Sequence, residues 1–229
     1  MDLLDLYRRY AEELKSKCAN LLTGDYSNPH CVYVPDDWAA AKNRVMIVGE
    51  EGYGAWGQGK QAGLTLSDIE KIQKANGKIV DYILAKDNDN RKFWRRFKSI
   101  SDFDVPCIWN NLDKIYYMGK NRKRCCLTTT EENLLHSTNI KILKEEINIL
   151  KPSIVIFFGW YNNALNIELP AIYEKLNPNG SDRLWKNSLY KIEDNGIDYI
   201  FTYHPSWRGK YKPVDYEKKV VDCVACCLK

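Results

Sequence analysis

Two adjacent glutamates, two adjacent asparagines and one histidine stand where short apolar runs give out. The runs end in Gly49-Glu50-Glu51-Gly52-Tyr53-Gly54, Trp109-Asn110-Asn111-Leu112, Gly159-Trp160-Tyr161-Asn162 and Tyr203-His204-Pro205-Ser206. These residue types can hold a heterocyclic base and hydrolyse its bond to a sugar. A carboxylate positions a water or stabilises an oxocarbenium-like sugar. An Asn amide donates and accepts along a base's Watson–Crick edge. A neutral His donates to an oxygen that gains negative charge as the base departs. Each type also has a plainer use. One glutamate of an adjacent pair can cap a loop or meet a cation, because two buried ionised carboxylates repel. A loop amide can satisfy its own backbone, and a histidine is commonly structural, which is the reading for His30 and His136. His204 differs because the proline after it biases it to an extended conformation.

The elements that must position these groups follow from hydrophobic periodicity. Arg44 to Gly49, Pro106 to Leu112, Ser153 to Gly159 and Tyr199 to Tyr203 are short, nearly continuous apolar runs bounded by Gly, Pro or Asn. Such runs suit strands buried on both faces of a parallel sheet. Helical patterns cover Met1 to Leu22, Ser67 to Leu84, Thr129 to Leu150 and Val214 to Cys227, the third opening on a capping box of Thr129 and Glu132. Trp94 and Phe97 with Arg95 and Arg96 read as an amphipathic helix with its basic residues outside. Asn195-Gly196 between two β-prone stretches signals a hairpin, so an antiparallel ribbon feeds the last strand. Alternating strands and helices indicate an α/β fold in which ligands sit beyond the carboxyl ends of the strands.

The chain has 229 residues, 45% hydrophobic and 28% charged, which fits a single soluble domain, 1–229, with a full core. No apolar run is long enough to cross a bilayer, and the amino-terminal segment lacks the features of a signal peptide. The expectation is a cytoplasmic monomer with no membrane partner. A net charge of +4 permits a polyanionic partner without demanding one. The 8 cysteines are expected to be free thiols. Cys223-x-x-Cys226 has metal-ligand spacing, but no second pair matches it, so no metal is expected.

Taken in order, the strand-end motifs resemble those of the uracil-DNA glycosylase superfamily. Gly49-Glu50-Glu51-Gly52-Tyr53-Gly54 is similar to a hybrid of that family's two first-motif forms, Gly-Gln-Asp-Pro-Tyr-His and Gly-Glu-Ala-Pro-Gly. Gly57-Gln58 and Gly63-Leu64-Thr65-Leu66-Ser67 resemble its Gly-Gln and Gly-Leu-Ala-Phe-Ser segment. Asn111-Leu112-Asp113-Lys114 resembles its Asn-Val-Val-Lys motif, Lys151-Pro152 and the run to Gly159 its third strand, and His204-Pro205-Ser206 its final motif. The likeness covers roughly 44–208. It implies a three-layer α/β/α sandwich around a central, mainly four-stranded parallel sheet. It also implies a monofunctional DNA glycosylase, acting without a cofactor, that removes a flipped-out uracil or modified pyrimidine from DNA.

Carried over residue by residue, the resemblance makes Glu51 the general base, with Glu50 as its alternative, and His204 the group that stabilises the departing base. Asn111 reads the base edge, with Asn110 as its rival. Tyr53 and Leu66 line the pocket with Gly49 and Gly52. Trp207 is a wedge, and Ser206, Arg208, Lys210, Lys120 and Arg122 contact DNA. Gly52 stands where the family has Pro, Leu66 where it has a stacking Phe, and Trp207-Arg208 where small or apolar residues are usual. Losing a Pro and an aromatic widens the pocket, so bulky modified bases of viral DNA, and a defence role, are an alternative to uracil. A non-catalytic DNA-binding member of the fold is another. Gly52-x-Gly54-x-x-Gly57 also fits a dinucleotide-binding pattern, but the glutamates before it would repel a pyrophosphate.

Overall fold

A computed structural model describes residues 2–17, 29–51, 66–86, 91–115, 128–158, 189–202, 205 and 216–229. Its elements are α1 (Leu3–Lys17), β1 (Val45–Glu51), α2 (Leu66–Leu84), α3 (Lys92–Ser101), β2 (Cys107–Asp113), α4 (Thr129–Leu150), β3 (Ile154–Phe158), β4 (Leu189–Asp194), β5 (Ile197–Thr202) and α5 (Tyr216–Cys227). The fold is α/β with a five-stranded, mostly parallel sheet in the order β2-β1-β3-β5-β4. Parallel pairing sets Val45 beside Ile154 and Ile156 beside Ile200. The start of β1 meets the start of β2, where the Val45 N–H donates to the Pro106 carbonyl at 3.0 Å. The antiparallel β4 adds a fifth strand to the four-stranded expectation. Its hairpin turns on Asn195 and Gly196, at φ 51° and 74°. Positive φ at both centre positions is the geometry an Asn-Gly pair favours.

The chain packs as two compact units: Met1–Tyr33, Glu51–Ile79 and Asn110–Leu150 form the first, and Val34–Glu50, Val80–Trp109 and Lys151–Lys229 the second. The second holds most of the sheet. Residues Ile154 to Phe158 are all buried, as a central strand flanked by β1 and β5 requires. α3 packs on this sheet through aromatic edges, with Phe93 on Phe158 at 5.8 Å and Trp94 on Trp109 at 4.7 Å. Arg95 is exposed as the amphipathic pattern requires, but Arg96 is 6% exposed and not on the outer side. Helical spacing explains the correction, because residue 96 shares a face with the buried Ile100 four positions on.

In the first unit α1 packs on α4, and the segment 29–33 is bound to α2. The Asn76 and Gln73 amides donate to the Cys31 and Val32 carbonyls at 2.6 and 2.9 Å. Gly77 lets the Tyr33 ring close on the helix, since a Cβ there would lie 2.8 Å from the ring. The capping box of α4 is Thr128 with Glu131, one residue before the expected pair. The Thr128 N–H and hydroxyl both donate to Glu131 Oε2 at 2.9 Å, and the Glu131 N–H returns to the Thr128 hydroxyl at 3.2 Å.

Candidate functional site

β1 runs two residues further than its apolar run, so Glu50 and Glu51 are its last residues and follow the buried Gly49. Leu66 is the first residue of α2. Asn110 and Asn111 both lie in β2 and are 0% and 2% exposed. Gly52, Tyr53, His204, Ser206, Trp207, Arg208, Lys210, Lys120 and Arg122 lie outside the described residues.

Around the end of β2 the chain assembles a buried polar network. Glu146 of α4 is its hub: Oε2 accepts from Lys114 Nζ at 2.6 Å and from Asn110 Nδ2 at 2.8 Å, while Oε1 accepts from the Tyr7 hydroxyl at 2.6 Å. Lys114 also donates to Asn110 Oδ1, which accepts the Asn111 backbone N–H at 2.8 Å as well. Two side threads leave this hub. The Tyr7 oxygen accepts the Val32 N–H at 2.9 Å, and the Lys114 carbonyl accepts the His30 N–H at 2.6 Å. Further along α4, the Tyr10 hydroxyl donates to Asn139 Oδ1 at 2.7 Å, and Asn139 Nδ2 donates to Asp113 Oδ1 at 3.3 Å.

The Lys114 and Glu146 side chains have no exposed surface. Burial pulls the Lys114 ammonium below its ordinary range, and the adjacent Glu146 carboxylate pulls it back up. Burial, reinforced by the Glu146 charge, holds the Tyr7 phenol well above its usual value. The same two causes push up the neighbouring Cys31 thiol, and Lys114 opposes them. These groups satisfy one another and are closed to solvent, so they cannot act directly on a bound molecule. They can hold the end of a strand. The Asn110 amide is committed to this work through both its nitrogen and its oxygen. Successive strand residues face opposite sides, so Asn111 projects away from the network.

Sequence reading missed Tyr7, Tyr10, Lys114, Asn139 and Glu146 as a group. One signal was available: Asn139 and Glu146 interrupt the apolar stripe of Leu135, Ile142, Leu143, Ile147 and Leu150 on α4.

The carboxyl-terminal thiols behave differently. Cys223, Cys226 and Cys227 are free, and Lys191 Nζ lies 2.9 Å from Asp198 Oδ1 beside them. Burial pushes the Cys227 thiol up to about 12, and its hydrogen bond to Asp198 adds to the rise. A raised thiol is the opposite of what a metal ligand or nucleophile needs. Among the described residues no group of three or more His, Cys, Asp or Glu is placed to hold a metal ion, and no helix is long and apolar enough to cross a membrane. No protein-family model matches the chain, and no curated protein matches it.

Proposed function

We propose that the protein is a monofunctional DNA glycosylase that hydrolyses the N-glycosidic bond of a flipped-out uracil or modified pyrimidine, leaving an abasic site. The observation that carries this reading is the order of the four motifs, each at the end of an apolar run that suits a strand. The sheet order supports it. β2 and β3 lie on opposite sides of β1, and open α/β sheets bind ligands beyond the strand ends at such a switch point. The Glu50-Glu51 motif closes β1. The same reading implies the three-layer arrangement of the glycosylase fold.

In this mechanism Arg208, Lys210, Lys120 and Arg122 hold phosphates regardless of sequence. Trp207 fills the gap left by the extruded nucleotide. Asn111 reads the base edge beside Tyr53 and Leu66. As the C–N bond breaks, positive charge grows on the sugar and negative charge on the base. His204 donates to the base, and Glu51, or Glu50, orients water toward the sugar carbon. Strand cleavage needs an amine nucleophile, and the one buried lysine among the described residues, Lys114, is closed in by Glu146 and Asn110. Gly52 and Leu66 in place of a Pro and an aromatic favour a wide pocket, and with it a bulky modified base of the kind found in viral DNA.

Single- and double-stranded oligonucleotides carrying uracil, and heavily modified viral DNA, are incubated with the protein, and released bases and abasic sites are scored by mass spectrometry. Release of one base class is the expected result. Glu51→Gln or His204→Ala should then lower turnover by about 100-fold or more while DNA binding holds. DNA binding with no release from any substrate would leave a non-catalytic DNA-binding protein.

A further inference from the structure

We infer that Asn110, Lys114 and Glu146 are positioning residues that set the direction in which Asn111 presents its amide, an inference that rests on the glycosylase reading. The hydrogen bonds leave Asn110 no freedom to flip. Its Nδ2 faces the Glu146 carboxylate, and its Oδ1 receives both the Lys114 ammonium and the Asn111 N–H. A flipped amide would set its NH2 group against two donors and its oxygen against a carboxylate. The Asn110 side chain thus fixes the peptide plane that leads into Asn111. Lys114, three residues further along, is tied to Glu146 by its side chain and to His30 by its carbonyl. The strand end is therefore pinned on both sides of Asn111.

Stability alone is a poor reason for this arrangement. A buried ion pair commonly does no better than apolar side chains of the same volume. What the network adds is direction, because each donor has one acceptor geometry that satisfies it. A group that reads a base edge must hold its amide within a fraction of an ångström, and a misplacement of about 1 Å costs about 100-fold in rate.

The test compares wild type, Asn110→Ala and the double variant Lys114→Met/Glu146→Leu, which replaces the ion pair by apolar groups and covers the case in which Asn110→Ala does not fold. Two readouts are taken: kcat and KM for the base that the wild type releases, and the side-chain amide NMR signals of Asn111 without DNA. Positioning predicts that kcat per folded molecule falls about 100-fold in either variant, with KM for DNA unchanged, and that the Asn111 amide signals shift or broaden. If kcat per folded molecule stays at the wild-type value, the network only supports the fold and the inference is wrong. Should the wild type release no base at all, the glycosylase reading fails by itself, and the NMR readout decides the positioning. Signals unmoved in the variants overturn it, and signals that move support it.

Discussion

Strand β3 and the carboxyl half of β2 are both buried, yet they are held by different physics. β3 offers only hydrocarbon: Ile154 to Phe158 pack without a polar side chain, and Phe157 stacks on its register partner Phe201 at 4.9 Å with the rings nearly parallel. Asn110 and Lys114 are buried as deeply, but each carries donors or a charge that water would otherwise solvate. Apolar contact is non-directional, so its losses are graded with the atoms removed. A closed polar network is cooperative, because removing one member strands the others. Shape is enough for the interior of the sheet, whereas the end of β2 needs every partner present.

The largest effect should come from breaking the network at its hub. Glu146→Leu leaves the Lys114 charge buried and takes the acceptor from Tyr7 and Asn110, and should cost about 4 kcal/mol in urea unfolding. A cost near 1 kcal/mol would place the two regions in the same class.

The sharper form is a double-mutant cycle. Lys114→Met in the Glu146→Leu background removes the stranded charge and should restore most of the loss, giving a coupling energy of about 3 kcal/mol. Additive losses would mean that water reaches Lys114 and that the network is not closed.

The contrast between the regions also decides what sequence reading could reach. β3 was legible because a central strand writes its burial as an unbroken apolar run, and the hairpin was legible because Asn195-Gly196 supplies its turn chemistry locally. The strand end at Glu50 and Glu51 was missed because main-chain pairing continues where the side chains turn polar. The capping box slipped by one residue because Thr128, Thr129 and Thr130 precede Glu131 and Glu132, so two registers satisfy the same pattern. Arg96 was placed outside by its charge, although its helical position is inward. The network was out of reach for a different reason. Glu146 meets Lys114 across 32 residues and Tyr7 across 139, and no local periodicity encodes such pairings. Of the candidate site, the order of the motifs along the chain is legible in the sequence; the hydrogen bonds that tie Asn110 to Lys114 and Glu146 are not.

Alkaline pH gives a smaller test. Burial pushes the Cys107 thiol of β2 from 9.0 to about 12, with Asp37 adding to the rise. A thiol raised in the folded state contributes stability that is intact below pH 9 and lost as pH climbs toward 12, because only the unfolded chain releases its proton in that window. The loss from this one group is about 1.4 kcal/mol per pH unit. Cys107→Ala should therefore cost stability at pH 8 and lose less than wild type between pH 9 and 10.5. Lys114 titrates with the opposite sign. Its lowered value makes stability rise with pH between that value and 10.5, and taking the difference between variant and wild type cancels it. Parallel curves for the two proteins would show that Cys107 is solvated and that this part of β2 is less tightly closed than β3.

The smallest effect belongs to the apolar region and mirrors the polar cycle. Ile156 and Ile200 are register partners on β3 and β5, both without exposed surface. Ile156→Val and Ile200→Val each remove one methylene from a packed interior and should each cost about 1 kcal/mol. The two side chains interact by dispersion, which is weak for any pair of atoms and summed over many neighbours. Deleting both groups removes few contacts that either deletion alone had not, so the double variant should cost nearly the sum, with coupling of about 0.5 kcal/mol or less. Urea midpoints at constant slope measure all three variants. A coupling as large as that expected for Lys114 and Glu146 would mean that cooperativity comes from burial itself, and that hydrogen-bond direction is not what sets the end of β2 apart.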